Sequence, residues 1–328
     1  MIVHMSAAVA MAAMLGVSPV QPPIGRLPDT TAKVVSTMAG RPLQLSSYTG
    51  RKPGHPHQTW VWNPAKRAFS EIEGSTTISP DERWEATLLP DRTMHDRTGT
   101  VPTVRFTDRE SGRTTKVALP VALDAKRDSR YHLRTGWPTW SPDGARLLVN
   151  VFEPGFQPRS AGIVLIDVPS LKARFVRIEK ALITVGGFQW TRDSDGVVVR
   201  WGKNGRSAIR QYDLKGAVKR TWHVRGRPSG DALGTFSPSG RRFVTACTSL
   251  ERAACVWETA TGKAVARIQV AFSPTWGPVL GWYDERHLLA PVEKGFGVVD
   301  LKGKVVETLI EVGKGENIQV RFDARGER

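Results

Sequence analysis

Trp140-Ser141-Pro142-Asp143-Gly144 is the stretch from which the rest of the chain is read. An aromatic strand end runs into a polar turn whose glycine can take a positive φ, and the apolar run Leu147-Leu148-Val149 then opens a second strand. The same arrangement recurs, more or less worn, at Ile78-Ser79-Pro80-Asp81, Trp190-Thr191-Arg192-Asp193, Phe236-Ser237-Pro238-Ser239-Gly240, Trp282-Tyr283-Asp284-Glu285 and Phe322-Asp323-Ala324-Arg325-Gly326. The copies are spaced by roughly 40 to 60 residues, the period of a four-stranded propeller blade.

A second marker alternates with the first. A strand ends in an acidic or amide residue and turns through a small one, beginning at Asn63, Asp108, Asp167, Asp213, Glu258 and Asp300. Val256-Trp257-Glu258-Thr259-Ala260-Thr261-Gly262-Lys263 is the clearest instance, with Gly262 suited to a hairpin loop. Two markers per period mean two hairpins per unit. Runs such as Ile163-Val164-Leu165-Ile166 read as buried strand rather than amphipathic helix. The sequence therefore predicts an all-β fold, a single β-propeller of six four-stranded blades.

The two ends of the chain complete each other. The last unit offers one inner strand, about 318 to 322, and residues 42 to 72 offer three strands without an inner one: Pro42–Ser47, Thr59–Asn63 and Arg67–Ile72. One C-terminal and three N-terminal strands are expected to make the closing blade and remove free sheet edges.

The Trp140 to Gly144 turn resembles the TolB-type propeller repeat of bacterial proteins, and Val256 to Lys263 is similar to the strand end and turn of WD-repeat propellers. The likeness spans about residues 40 to 328; the units at 190 and 282 have lost the Pro-Asp-Gly core. It implies a rigid binding platform, often extracytoplasmic, and no particular partner.

Composition agrees with an all-β chain. Hydrophobic residues make up 40% and charged residues 24% of 328, with 31 Gly, 22 Pro and 11 Trp, as expected of many short strands joined by tight turns and anchored by large aromatics. Residues 1–28 are of another kind, with an Ala-, Met- and Val-rich run from Ser6 to Val20 and then Gln21-Pro22-Pro23-Ile24. We read 1–28 as an export signal-like or disordered segment, 29–41 as a linker and 42–328 as the propeller. No Lys or Arg precedes the apolar run, and it is short for a membrane span. Both a cleaved signal and a retained anchor with peripheral membrane association stay open.

Cys247 and Cys255 are the two cysteines and flank a turn centred near residue 251. If the hairpin closes symmetrically they oppose each other and suit a disulfide, which requires an oxidising compartment; two buried thiols are the alternative. His55-Pro56-His57 has no acidic or cysteine partner nearby in sequence, so no metal is expected. Neither a Gly-x-Ser-x-Gly elbow nor a Gly-x-x-x-x-Gly-Lys loop occurs. No cofactor and no catalytic set are expected.

Trp140, Trp190 and Trp282 share one repeat position and read as packing between blades. Trp276, beside Gly277-Pro278, breaks that pattern and lies in a connection before an inner strand. Such connections share a rim with the loops between second and third strands, where ligands are held. The same rim should carry His132, Arg134, Asp231, Glu316 and Asn317, with Glu153, Phe156 and Arg159 from the 153 to 160 loop.

The net charge is +16, with 47 basic against 31 acidic residues, so the surface should attract anions such as nucleic acid, anionic lipid or an acidic polymer, although a generally Arg-rich proteome gives the same excess. The excess concentrates between 200 and 227, where Arg200, Lys203, Arg206, Arg210, Lys215, Lys219, Arg220, Arg225 and Arg227 face Asp213 alone, interleaved with Trp201, Tyr212 and Trp222. That blade is either a polyanion site with stacking partners or a solvated outer face. Three functions remain open: a monomeric, extracytoplasmic propeller that binds a protein or cell-envelope ligand through its rim; a propeller enzyme of lactonase, lyase or glycoside-processing type, with carboxylates around the channel; and a cytoplasmic polyanion binder.

Overall fold

The computed structural model describes residues 25–36, 43–50, 58–63, 66–72, 75–89, 102–121, 133–153, 158–179, 181–183, 187–203, 206–230, 233–247, 252–271 and 279–324. Every named element is a β-strand, and every ladder between strands is antiparallel. Among the described residues the strands sort into six four-stranded sets. Blade 1 is Ser75–Ile78, Trp84–Leu89, Thr103–Asp108 and Thr114–Ala118; blade 2 is Arg134–Trp140, Arg146–Glu153, Arg159–Asp167 and Lys172–Arg177. Blade 3 is Gln189–Trp190, Gly196–Lys203, Arg206–Asp213 and Val218–Trp222, and Ala181–Leu182 splices it to blade 2 in one nine-stranded sheet. Blade 4 is Arg227–Pro228, Arg242–Ala246, Ala253–Glu258 and Ala264–Gln269; blade 5 is Gly281–Trp282, His287–Val292, Gly295–Asp300 and Val305–Glu311.

The closing set joins the chain ends as expected. Ile318–Ala324 pairs with Leu43–Gly50, from Leu43 opposite Ala324 to Gly50 opposite Ile318, and Gln58–Asn63 and Ala68–Ile72 follow outward.

The repeated turn owes its shape to the hydroxyl after the strand-end residue. Ser79, Ser141, Thr191 and Ser237 each accept from the backbone N–H five residues on, at 2.8, 2.9, 2.9 and 3.3 Å. The same four residues donate their own N–H to the carbonyl of that partner, closing the hairpin twice. The corner then needs a left-handed residue. Gly144 and Gly240 supply it with φ of 70°, and Glu82 and Ser194 take the same corner at 60° and 59°. The worn copies therefore keep the turn because its hydroxyl survives. In blade 5 the hydroxyl is replaced by Asp284, whose Oδ1 accepts from the N–H groups of Arg286 and His287 at 2.7 and 2.9 Å.

Blades pack face to face through apolar seams. Five buried clusters each bridge two successive sets, for example Val104, Phe106 and Leu88 of blade 1 against Trp140, Leu147 and Val149 of blade 2, and Leu289 and Phe296 of blade 5 against Leu45, Tyr48 and Phe322 of the closing set. Between the closing set and blade 1 the Arg109 guanidinium, which donates to Glu82 O at 3.0 Å within its own blade, reaches across to Trp62 O at 2.5 Å. Trp140, Trp190 and Trp282 are all buried. Trp190 Nε1 donates to Thr139 O and Trp282 Nε1 to Thr235 O, both at 3.0 Å and both on the inner chain of the preceding blade. The Trp190 and Trp282 indoles thus fill a seam and pin the neighbouring blade, whereas Trp140 Nε1 is buried without a partner among the described residues and fills its seam by packing alone.

Two sequence expectations need correction. The segment read as a linker, 29–41, is docked as far as it is described, to Ser36. Leu27 and Ala32 are fully buried, Tyr48 donates its hydroxyl to Pro28 O at 3.0 Å, and Lys33–Val34 adds a fifth strand to the outer edge of blade 5. Burying two apolar residues and an edge strand offsets the ordering of this short stretch. Cys247 and Cys255 form a disulfide with Cα atoms 5.5 Å apart, but they are diagonal rather than opposed. Thr245 faces Cys255 and the Cys247 N–H donates to Ala253 O, so the hairpin is centred one residue earlier than symmetry about the cysteines implies. In the chain-entropy account, closing so short a loop stabilises the fold by about 2.5 kcal/mol. Cys247→Ser with Cys255→Ser should lower unfolding stability in urea by no more than that amount, with m unchanged; a loss well beyond it would mean that the bridge also holds tertiary structure.

Candidate functional site

Of the rim residues expected to meet a ligand, His132, Phe156, Asp231 and Trp276 lie outside the described residues, as do His55 and His57. Glu316 is engaged within the fold: its carboxylate accepts from Thr31 N at 2.9 and 3.1 Å and from the Thr31 hydroxyl, clamping the N-terminal segment. Sequence alone gave no sign that residues 25–36 fold back onto this rim candidate. Asn317 is exposed. Arg134 begins the inner strand of blade 2, half-buried and opposite Phe152.

The basic residues do not share one surface. Arg210 lies with its guanidinium carbon 3.5 Å from the centroid of Trp201. Register puts this pair on the side of the sheet that carries Val197 and Val199 toward blade 2. Burial pushes the neighbouring Tyr212 hydroxyl pKa up. Arg200 is half-buried on the opposite side, and Arg227 is buried. Arg220 donates to Thr259 O at 2.9 Å, the carbonyl that also accepts from Trp222 Nε1. Lys219 and Arg225 are exposed, while the side chains of Lys203 and Arg206 lie outside the description.

A residue that sequence reasoning missed stands out on the inner strand of blade 2. Inner strands line the central channel of a propeller. Trp137 and Pro138 both oppose Val149, because the register shifts from Thr139 opposite Leu148 to Gly136 opposite Asn150. The first residue of this β-bulge, Trp137, sits at φ 48°, a corner normally left to glycine. Trp137 is also 37% exposed, and its ring stacks on Phe152 at 5.1 Å between centroids with 19° between planes. The bulge is held by Asn150, which is fully buried on the same side of the sheet as Phe152. Asn150 Nδ2 donates to Trp137 O at 3.1 Å, and Oδ1 accepts from Phe188 N at 2.8 Å on the inner chain of blade 3. A Cβ on Gly187 would lie 2.2 Å from that Oδ1, so only glycine fits there.

Arg134 and Trp137 therefore form one cluster, an exposed indole resting on Phe152, which is itself buried in the seam of blades 2 and 3, with the Arg134 side chain beside Phe152 on the same side of the sheet. Backbone strain of this kind persists only where the surroundings impose it, and it gathers at binding sites. Gly136-Trp137-Pro138 inside a strand was the available signal, since glycine and proline within a strand mark a bulge. Elsewhere on the described inner strands Asp323 is the one carboxylate, 6% exposed, with Arg321 Nε 3.4 Å from its Oδ1. Among the described residues no three His, Cys, Asp or Glu side chains gather as metal ligands.

The fold places this chain among the β-propellers. Among solved structures it is similar to TolB from Acinetobacter baumannii, at 16% identity over 84% of this chain and 64% of that one, with a TM-score of 0.52. It is also similar to Porphyromonas gingivalis dipeptidyl peptidase 4, at 12% identity over 76% of this chain and 42% of that one, TM-score 0.46. The Cps50 (Swd1) β-propeller domain of Myceliophteria thermophila matches at 13% identity over 77% and 92% of the two chains, TM-score 0.45. The chain thus spans under two thirds of the TolB chain, and likeness at these identities establishes the fold alone. No family model matches the sequence, and a comparison with curated proteins finds no match.

Proposed function

We propose that this propeller is a binding module, extracytoplasmic and non-catalytic, that takes a protein or cell-envelope ligand on the surface around Arg134 and Trp137, whose ring rests on the buried Phe152. The observation that carries the reading is Trp137: a large aromatic, over a third exposed, kept in a glycine conformation. A propeller core has no need of it, whereas an interface does, since Trp and Arg dominate binding hot spots. The Cys247–Cys255 bridge supports an oxidising compartment.

Immobilised protein exposed to the solubilised envelope fraction of its host should retain a component that Trp137→Gly loses by about thirtyfold in affinity, the scale of a 2 kcal/mol hot spot. Arg134→Ala should weaken it less. A component held equally by both variants places binding on another surface, and none held by the wild type removes the reading.

A further inference from the structure

Apart from Trp137, the exposed large apolar residues among those described are Val35, Val218, Val265, Val305 and Val306, from 44% to 54% exposed. They occupy one arc of the outer wall. Val218 opens the outermost strand of blade 3, Val265 is second in that of blade 4, and Val305 and Val306 open the fourth strand of blade 5, beyond which Lys33–Val34 is added. Val35 follows the strand added to blade 5 and donates its N–H to Leu309 O at 3.0 Å. On the remaining three sets the outermost strands open with Ala68, Thr114 and Lys172, so the apolar feature is confined to this arc.

The wall is continuous. The turn entering each fourth strand leans on the blade before it: a Cβ on Gly262 would lie 3.4 Å from Trp222 Cδ1, and one on Gly303 would lie 3.5 Å from Ile268 Cγ2. Exposed cations interleave the valines at Lys33, Lys215, Lys219, Lys263, Lys302 and Lys304. Among its described residues the wall also carries five carboxylates, which remain charged and are engaged locally rather than removed. Asp213 and Asp300 each accept two backbone N–H groups of their turns, Glu258 takes the Thr261 hydroxyl, Glu307 takes the Ser36 hydroxyl, and Glu311 faces Lys33 across the ladder. The chain also enters here, for Val34 donates its N–H to Gly25 O, and the apolar stretch Ser6 to Val20 ends a few residues earlier.

We infer that the outer wall of blades 3 to 5 docks on an anionic lipid surface, its valines seated among the headgroups and its lysines on the lipid charges. Apolar side chains interleaved with lysines suit such a surface. The site is separate from the channel surface around Trp137 and does not depend on it.

The full chain should sediment with phosphatidylglycerol vesicles, much less with phosphatidylcholine vesicles, and release as salt is raised. Lys215→Gln, Lys219→Gln and Lys263→Gln should each lower partitioning by about fivefold, from roughly 1 kcal/mol per cation near an anionic surface. Val218→Ser with Val265→Ser and Val306→Ser should weaken it further without unfolding the protein, because all three side chains are exposed. Wild-type partitioning equal on the two lipids, or unchanged in both sets of variants, overturns the proposal; all variants keep residues 1–24, so binding through that segment alone is revealed the same way. Dimerisation on size exclusion, abolished by the valine changes and without vesicle binding, also overturns it and assigns the wall to a second copy.

Discussion

A chain ending at Asn317 should fail to fold cooperatively. The missing strand, Ile318–Ala324, is the innermost of the closing set and carries Ile318, Val320 and Phe322 at 5%, 0% and 1% exposure. Burial of three such side chains contributes roughly 1.5–3 kcal/mol each, a sum comparable with the roughly 5–15 kcal/mol stability of a whole domain. Truncation also strips the ladder from Leu43–Gly50 and leaves it as an open edge beside exposed apolar seams. The expected result is loss of near-ultraviolet circular dichroism and of a sharp urea transition. A peptide of residues 318–328 supplied in trans should restore both, as an added strand does for other sheets lacking one. A truncated protein that melts cooperatively within a few degrees of wild type would show that the C-terminal strand does not close the ring.

This closure was legible because it rests on counting. A repeat with a defined phase leaves an inner strand at one end and three outer strands at the other, and the turn hydroxyls Ser79, Ser141, Thr191 and Ser237 mark that phase even where proline and glycine are gone. What the sequence hid is of two kinds. One is contact between distant segments without a periodic signature, such as Thr31 with Glu316, or Leu27 in the seam of blade 5 and the closing set. The other is local departure from the repeat. The bulge at Trp137 changes which residue faces the channel, and a one-residue offset turns opposed cysteines into diagonal ones. Strand register has a period of two, so small insertions move side chains to another face while barely altering the pattern that reveals the strand. Charge was legible only as a total. The run from Arg200 to Arg227 looks like one basic face in sequence, yet strand alternation sends Arg210 to one seam and Arg200 to the other.

The two tryptophans of neighbouring inner strands should answer oppositely to the same substitutions. Trp190 is 5% exposed and its indole holds Thr139 O, so Trp190→Ala should cost about 3–5 kcal/mol for the lost packing. Trp190→Gly should be worse by a further ~0.5–1 kcal/mol, the usual penalty of glycine in a strand. At position 137 that order should invert. Alanine keeps the left-handed strain of φ 48°, which costs an L-residue roughly 1–2 kcal/mol, and glycine relieves it. Both changes remove the same stack on Phe152, so the difference between them isolates the backbone. Urea unfolding of the four variants measures it directly. If Trp137→Gly is no more stable than Trp137→Ala, the bulge is not strained and the case for a functional tryptophan loses its basis. If it is more stable and the envelope ligand is lost, the fold tolerates a cost at this corner that only the binding surface explains, and the strain and the ligand share one residue.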